Sequence, residues 1–400
     1  MKKILITFFV LSSFISYAQK TTIISDYLDV LEKTGQEPVK FVNNLLDDYD
    51  LLVFDDALHL AKEPFDFYQE LIKNDQFRSK VKYVFFEVIS ITSQPYIDKY
   101  FNSPVKDSTI LIPAFQDSYS GYGWRYKTYF DLLRTIWDVN SQLPASERIQ
   151  VICVDEPIYW DAIHTREDYN LFQKSIVGRD YFMYLIINNT LADFKSGEKG
   201  IFLTNTRHAY KGIKASDGTY YWNTGTFLHQ WHPEKTYSIR FQNVNLSILA
   251  VIDSVTNAST EGMDNITYEW IRMDNGLWDK AFKENGNGPI AISLENNAFG
   301  KTPYVGNLML NSADNQTMYD AYDGLIFLGP LEEKHFSAKV DFIYTDSFIQ
   351  ELKRRIILLE GDQLPAFLKQ NGADSLDDFI KEYVKYQEER KNTLVPEEIN

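Results

Sequence analysis

Four apolar stretches of this chain each run straight into ionisable residues. Leu51 to Phe54 leads to Asp55, Asp56 and His59, and Phe85-Phe86 leads to Glu87. Ile152 to Val154 leads to Asp155 and Glu156, and Phe202-Leu203 leads to His208. Two imidazoles among several carboxylates suit two kinds of chemistry. An imidazole oriented by a carboxylate can serve as a general base toward water. The same donors can ligate a divalent metal, and His59, Glu87, Asp155 and His208 form a plausible mixed nitrogen and oxygen set. Each residue alone has a plainer explanation. A carboxylate after a strand commonly caps a helix or sits in a solvated turn. His59 fits a loop, and His208 fits a packing position against Tyr210. Four such endings in one chain point instead to one shared site.

Convergence of those four ends requires parallel strands. Helical spacing from Thr21 to Asp48 (Tyr27, Leu31, Phe41, Val42, Leu45) precedes a strand over Leu51 to Phe54. Pro64 suits the first turn of a helix reaching about Phe77, and Val81 to Val88 is rich in strand-forming residues. Asn102 to Gly123 reads as a long loop, and Tyr126 to Asn140 as an amphipathic helix carrying Phe130, Leu133, Ile136 and Trp137. Ile149 to Val154 is a third strand, Arg179-Asp180 opens or begins a helix, and Gly200 to Leu203 starts a fourth strand. This alternation predicts an α/β fold with a central, mainly parallel sheet flanked by helices. Right-handed crossovers then put the strand C-termini on one edge, where open α/β sheets bind ligands.

The second half is less regular. Asp217 to Pro233 reads as an ordered loop or hairpin, and Asn285 to Asn315 as Gly- and Asn-rich loop. Strands are expected at Tyr237–Gln242, Leu246–Ile252 and Tyr322–Leu328. An irregular, aromatic-rich insertion is placed at about 213–320. From Ser347 the chain reads as helical, with 391–400 a polar tail expected to fray. No linker divides the chain, so 19–390 is read as a single domain.

Composition narrows the classes of function. Lys2-Lys3, the apolar run Ile4 to Ile15 and the small residues Ser16 and Ala18 have the form of a signal peptide over 1–18. An exported, periplasmic or secreted protein is therefore expected. No other run reaches membrane-spanning length, and no lipid anchor is indicated. The formal charge is −16, and it becomes two units more negative without Lys2 and Lys3. Such a chain repels nucleic acid and anionic membranes but is silent about a neutral substrate; a small-molecule substrate is the partner expected from the hydrolase reading below. Cys153 is the only cysteine and lies in an apolar run, so an inert buried thiol is expected and an internal disulfide is excluded. There is no Gly-x-Ser-x-Gly elbow, phosphate-binding glycine loop or dinucleotide fingerprint, which disfavours serine hydrolases and nucleotide-dependent enzymes.

Asp56-x-x-His59, Glu87 closing a strand, Asp155, Arg179-Asp180 at a helix, and His208 together resemble the erythromycin esterase family. That family belongs to a superfamily with Tiki-like proteases and ChaN-like haem-uptake proteins. The late stretch Tyr322-Asp323-Gly324-Leu325-Ile326-Phe327 resembles the family's last core strand. Two departures stand out: Asp55-Asp56 replaces Gly-Glu, and Asn205-Thr206-Arg207-His208 keeps only the last His of His-Asn-x-His. The resemblance implies a hydrolase with no cofactor, acting on an ester or lactone carbonyl. His59 would be the base, Asp56 and Glu87 would orient it and polarise water, His208 would assist at the opposite side, and Arg179 would stabilise negative charge. Asp155, Tyr122, Trp124 and Trp231 are placed with the substrate.

Two alternatives accompany this reading. One is a metal-dependent hydrolase or protease of the Tiki type on the same residues. The other is a non-catalytic binder, with Tyr119, Tyr122, Trp124, Tyr220, Tyr221, Trp222 and Trp231 stacking on haem or a glycan. His229 and His232 flank Gln230-Trp231 and read as packing or pocket-rim residues of a loop, and His164 and His335 are assigned nothing.

Overall fold

The computed structural model describes residues 24–175, 178–251, 266–304 and 312–397. The expected signal peptide lies outside these residues. Seven strands form one sheet in the order β3-β2-β4-β1-β5-β9-β8. They are β1 (Leu51–Asp55), β2 (Val81–Ser90), β3 (Gln150–Asp155), β4 (Lys199–Thr204), β5 (Thr236–Phe241), β8 (Ile290–Ser293) and β9 (Gly324–Phe327). Every pairing in this sheet is parallel except β8 with β9. Strands β6 (Asn245–Val251) and β7 (Ile266–Ile271) pair antiparallel as a separate ribbon.

The alternation of side chains along β1 explains why it sits at the centre. Leu52 and Phe54 join one apolar core, with Val84, Phe86, Ile201 and Leu203. Leu51 and Val53 point the other way and join a second core with Phe85 and Phe202. Helices Glu63–Lys73 and Lys127–Asn140 cover the first face through Phe65, Leu71, Leu133 and Ile136. Helix Arg179–Thr190 covers the second through Met183 and Ile187. Burial on both faces suits continuous apolar runs, which is how the parallel strands of this chain read. The α/β expectation holds. Cys153 is buried and free, as expected.

The second half is more ordered than its composition suggests. The stretch 213–320 supplies β5, which lies beside β1, and the edge strand β8. Within Asp217 to Pro233, helix Thr224–Trp231 stands where a loop or hairpin was expected. Its Asn223 N-cap accepts from the backbone N–H of Thr226 at 2.8 Å. The C-terminal tail is also held as far as it is described. Arg390–Lys391 pairs with His335–Phe336, and Arg272 donates to the Pro396 carbonyl. Among the described residues no helix is long and apolar enough to cross a membrane.

Candidate active site

The C-terminal ends of β1, β2, β3 and β4 meet at one cavity of about 180 Å³. His59, Glu87, Asp155, Arg179 and His208 all border it, together with Trp124, Tyr119 and Asn205. The pairing register aligns Asp55 with Thr204 on β4 and with Arg240 on β5. Between Phe86 and Ser90 the pairing of β2 with β3 slips, and Glu87 lies in that irregularity. Bulges of this kind re-aim side chains next to functional sites.

The turn after β1 is tight. Ala57 takes a left-handed backbone conformation at φ 60°, and its N–H donates to Asp55 Oδ1 at 2.8 Å. This turn brings His59 back over the strand end, where Nδ1 lies 3.1 Å from Asp56 Oδ2. The Tyr129 hydroxyl stands 3.1 Å from the same nitrogen and donates to Asp56 Oδ2 at 3.4 Å. Asp56, although one methylene shorter than the Glu of the resembled motif, therefore still reaches the imidazole.

The protonation of His59 follows from its neighbours. Asn205 Oδ1 accepts from the Arg207 backbone N–H, which turns Asn205 Nδ2 toward His59 Nε2 at 2.6 Å. An amide N–H there needs a lone pair on Nε2, so the neutral ring carries its proton on Nδ1, facing Asp56. That is the tautomer a general base needs. Burial opposes a charge on this ring, but Asp56 and Glu87 outweigh it and raise its pKa above the ordinary histidine value.

A second imidazole repeats the arrangement. His208 Nδ1 lies 2.7 Å from Asp180 Oδ1, and Nε2 lies 3.0 Å from Arg179 Nη1. Asp180 Oδ1 also accepts from the backbone N–H and hydroxyl of Thr224, each at 2.8 Å. Glu87 stands between the two rings. Its Oε2 is 3.7 Å from His59 Nε2, and its Oε1 is 3.4 Å from His208 Nε2. Burial alone would raise the Glu87 pKa, but His208, His59, Arg179 and the Thr204 hydroxyl bring it down to about 2. Glu87 is thus a fixed negative charge. Asp56 is the opposite case: burial lifts it to about 6 against the pull of His59. Its Oδ1 is buried without a hydrogen-bond partner among the described residues.

Arg179 fills the centre of the proposed metal set. Its Nε donates to Asp155 Oδ1 at 2.6 Å, Nη2 to Glu87 Oε1 at 3.1 Å, and Nη1 to His208 Nε2. Three of the four candidate ligands are thereby committed to a guanidinium, and a divalent cation at that point would meet a like charge. Among the described residues no group of three or more His, Cys, Asp or Glu side chains is arranged to hold a metal. The residues do not fit the metal alternative.

The other assignments divide. Trp124 borders the cavity and meets His59 edge-on, with ring centroids 5.0 Å apart. Tyr119 lies under Arg179, 5.0 Å from the guanidinium carbon. Asp155 is at the cavity, but the Oδ1 that faces Arg179 also accepts from the Glu156 N–H, so its role is to hold Arg179. Tyr122 is turned away: its hydroxyl donates to Glu360 at 2.9 Å and its ring packs on Tyr383. Trp231 lies on the outer surface, half exposed, packed with Tyr184 and Phe227. Neither Tyr122 nor Trp231 borders this cavity. Trp222, stacked on Phe227, is half exposed on that same surface. His229 is buried, bonded to Ser238, and held to a pKa of about 4 by burial, while His232 stacks on Phe194. Both are packing residues, on or just past a helix rather than in a loop.

Four contributors carried no role in the sequence reading. Asp180 and Asn205 were visible only as members of short motifs. Arg207 stood at a variable motif position, and Tyr129 was one aromatic among several on its helix. The aromatics Tyr119, Tyr122, Trp124, Tyr126 and Tyr129 give no sign in sequence of which ring faces His59; only the packing decides it.

Asp55, which replaces a glycine of the resembled motif, belongs to the frame rather than the cavity. Its Oδ2 accepts from Arg240 Nη1 at 2.7 Å and from the Tyr322 hydroxyl at 2.6 Å, and Oδ1 accepts from Thr206 at 3.0 Å.

No protein-family model and no curated protein matches the chain. Solved structures do. A succinoglycan biosynthesis protein aligns at TM-score 0.52 and 10% identity, over 78% of this chain and 97% of that one. An erythromycin esterase mutant in its open conformation aligns at TM-score 0.48 and 9% identity, over 73% of this chain and 93% of that one. A Bacillus cereus protein aligns at TM-score 0.48 and 14% identity, over 76% of this chain and 97% of that one. At these identities the likeness concerns architecture alone: this α/β chain, with its mainly parallel central sheet, shares the fold of the succinoglycan biosynthesis protein.

Proposed function

We propose that the protein is a hydrolase in which His59 acts as general base toward water, attacking an ester or lactone-type carbonyl. The observation that carries this reading is the His59 environment: Asp56 on Nδ1, a lone pair on Nε2, and the Glu87 carboxylate 3.7 Å from that nitrogen. Water entering between Nε2 and Glu87 displaces Asn205 Nδ2 from the Nε2 lone pair and gives its proton to Nε2 as it attacks. The imidazolium then lies between two carboxylates, which stabilise its charge. The displaced Asn205 N–H is then free to donate to the carbonyl oxygen as negative charge develops. His59 next returns the proton to the leaving oxygen. Arg179 and Asp155 hold Glu87 and His208 in place, and His208 with Asp180 forms the opposite wall.

Size bears on the substrate. The cavity of about 180 Å³ is smaller than the ~300–1,000 Å³ typical of sites that enclose drug-sized ligands. It suits the reacting acyl group, with the rest of the molecule outside. Export is part of the same proposal, supported by the pattern of residues 1–18; N-terminal sequencing of the protein from its host would reveal cleavage near Gln19. The test of the activity is a screen of ester, lactone and peptide substrates with wild type and His59→Ala. Loss of turnover by ~100-fold or more is expected. Turnover equal to wild type would remove His59 from the mechanism.

A further inference from the structure

Three arginines stand near this edge of the sheet, and two have their guanidinium groups committed. Arg179 is bonded to Asp155 and Glu87, and Arg240 to Asp55 and Asn245. Arg207 differs: its guanidinium has no hydrogen-bond or ion-pair partner among the described residues. Its backbone is nevertheless held at both ends. The N–H donates to Asn205 Oδ1 at 3.0 Å, and the carbonyl accepts from Asn223 Nδ2 at 2.9 Å. Asn205 is in turn the residue that contacts His59, so the Arg207 backbone is placed relative to the proposed base, and its side chain reaches out from there to solvent.

Arg207 also borders two cavities. One is the site at His59. The other, of about 150 Å³, lies on the far side of Asn205 and Thr206 and is lined by Leu58, Val244, Leu246 and Trp270, the last two from the β6–β7 ribbon. Although the side chain is exposed, its packing against the site walls and, next, the nearby Arg179 charge both disfavour the charged form of Arg207. A cation at a cavity wall, close to a second cation and without its own carboxylate, gains most from an incoming anion. A guanidinium offers a planar fork of donors that matches a carboxylate or a phosphate bidentately.

We propose that Arg207 binds an anionic group, a carboxylate or a phosphate, on the molecule that reacts at His59. The substrate class is then an ester that also carries a negative charge, with its remaining apolar part against the Leu246 and Trp270 wall. The word substrate rests on the hydrolase reading; the anion site does not. Arg207 is a binding residue here, and its contribution is to KM rather than to proton transfer.

The test has a binding arm and a kinetic arm, using the whole protein as wild type, Arg207→Gln and Arg207→Lys. Calorimetry with succinate and with inorganic phosphate reads anion binding, and the stronger of the two identifies the chemistry recognised. Binding is expected to weaken about tenfold or more in Arg207→Gln, less in Arg207→Lys, and to weaken with added salt. Unfolding midpoints confirm that the variants are folded. The kinetic arm compares p-nitrophenyl hemisuccinate with p-nitrophenyl butyrate. Wild type should prefer the charged ester in kcat/KM, and Arg207→Gln should lose that preference through KM. If neither anion binds wild type, or if Arg207→Gln binds as well as wild type, the anion site is overturned. Arg207-dependent binding with no turnover of either ester supports the anion site and counts against the hydrolase reading. Turnover without charge preference or Arg207-dependent binding does the reverse.

Discussion

Asp55 at the end of β1 and Arg240 on β5 occupy the same register position and form a buried ion pair, Oδ2 to Nη1 at 2.7 Å. The pair lies directly behind the turn that carries Asp56 and His59. Both partners are less than one-tenth exposed, and Tyr322, Thr206 and the Ala57 N–H supply the remaining hydrogen bonds of the carboxylate. Burial opposes the charge on Arg240, and Asp55 more than compensates it, so the arginine stays ionised. A replacement that looked like a defect in the resembled motif is therefore tied to a partner 185 residues away in sequence.

The expected consequence is a stability effect. Asp55→Ala, or Asp55→Gly to restore the motif, should destabilise the fold by about 3–5 kcal/mol, because it leaves a buried guanidinium without its counter-charge. Chemical denaturation of the variants measures this. A loss below about 1 kcal/mol would mean that water or Asn245 takes over the charge, and that the pair does not hold β1 to β5.

Asp56→Asn separates orientation from geometry. The amide keeps the shape but no longer requires a proton on His59 Nδ1, so a fraction of the rings lose the lone pair on Nε2. kcat/KM should fall by ~100-fold or more, with KM little changed. The sign of the pH effect follows from the cause of the shift. Asp56 and Glu87 raise the His59 pKa, and the base works only when deprotonated, so activity falls as pH drops through that raised pKa. Removing the Asp56 charge lowers the pKa, and the acid limb should move to lower pH. A limb that stays in place in the pH–rate profile would assign it to another group.

Much of this was legible because strand ends are legible. Apolar runs such as Leu51 to Phe54 and Val84 to Phe86 show burial directly, and the ionisable residue that follows each run marks the edge. Pairing across that edge was not legible. Asp180 reads as the partner of Arg179 beside it, yet its carboxylate holds His208, while Arg179 turns to Asp155 and Glu87. Neighbours in a helix point to different sides, and only the sheet order says what lies on each. The irregular second half misled in part for a related reason: the strand expected at Tyr237–Gln242 is present as β5, but its place beside β1 and helix Thr224–Trp231 depend on contacts far away in sequence, which Gly, Asn and aromatic content do not show.

Gly225 illustrates the last point and offers a test. In the sequence it suggests a loop, but it lies inside helix Thr224–Trp231 because that helix packs closely on the segment after His208. A Cβ at Gly225 would stand 2.6 Å from the Ala209 carbonyl oxygen and 2.8 Å from that of Tyr210. Both are backbone atoms and cannot swing aside. Gly225→Ala should cost about 1–3 kcal/mol of stability through overpacking. It should also lower activity severalfold by shifting Thr224 and, through Asp180, His208. Thermal unfolding with assays of the folded fraction checks both effects. An unchanged midpoint would show that the helix and the segment after His208 can part without cost.

Glu87 should shape the response of the fold to acid. Its pKa is about 2 in the folded protein against an ordinary 4.5, because His208, His59, Arg179 and Thr204 favour the ionised form more than burial disfavours it. A depressed acid contributes stability that is fully present above its unfolded pKa. That contribution is lost as pH falls from about 4.5 toward 2. Asp56 works in the other direction: raised to about 6, it makes the fold less stable as pH climbs from 3.8 through 6. Wild type should therefore lose stability on acidification mainly below pH 4.5, and Glu87→Gln should flatten that slope while lowering stability at neutral pH. Urea midpoints measured across pH 2.5 to 7 test the prediction. The same acid slope in Glu87→Gln as in wild type would place the protonation that governs acid unfolding elsewhere in the molecule, and Glu87 would then be a charge that the site tolerates rather than one it is built around.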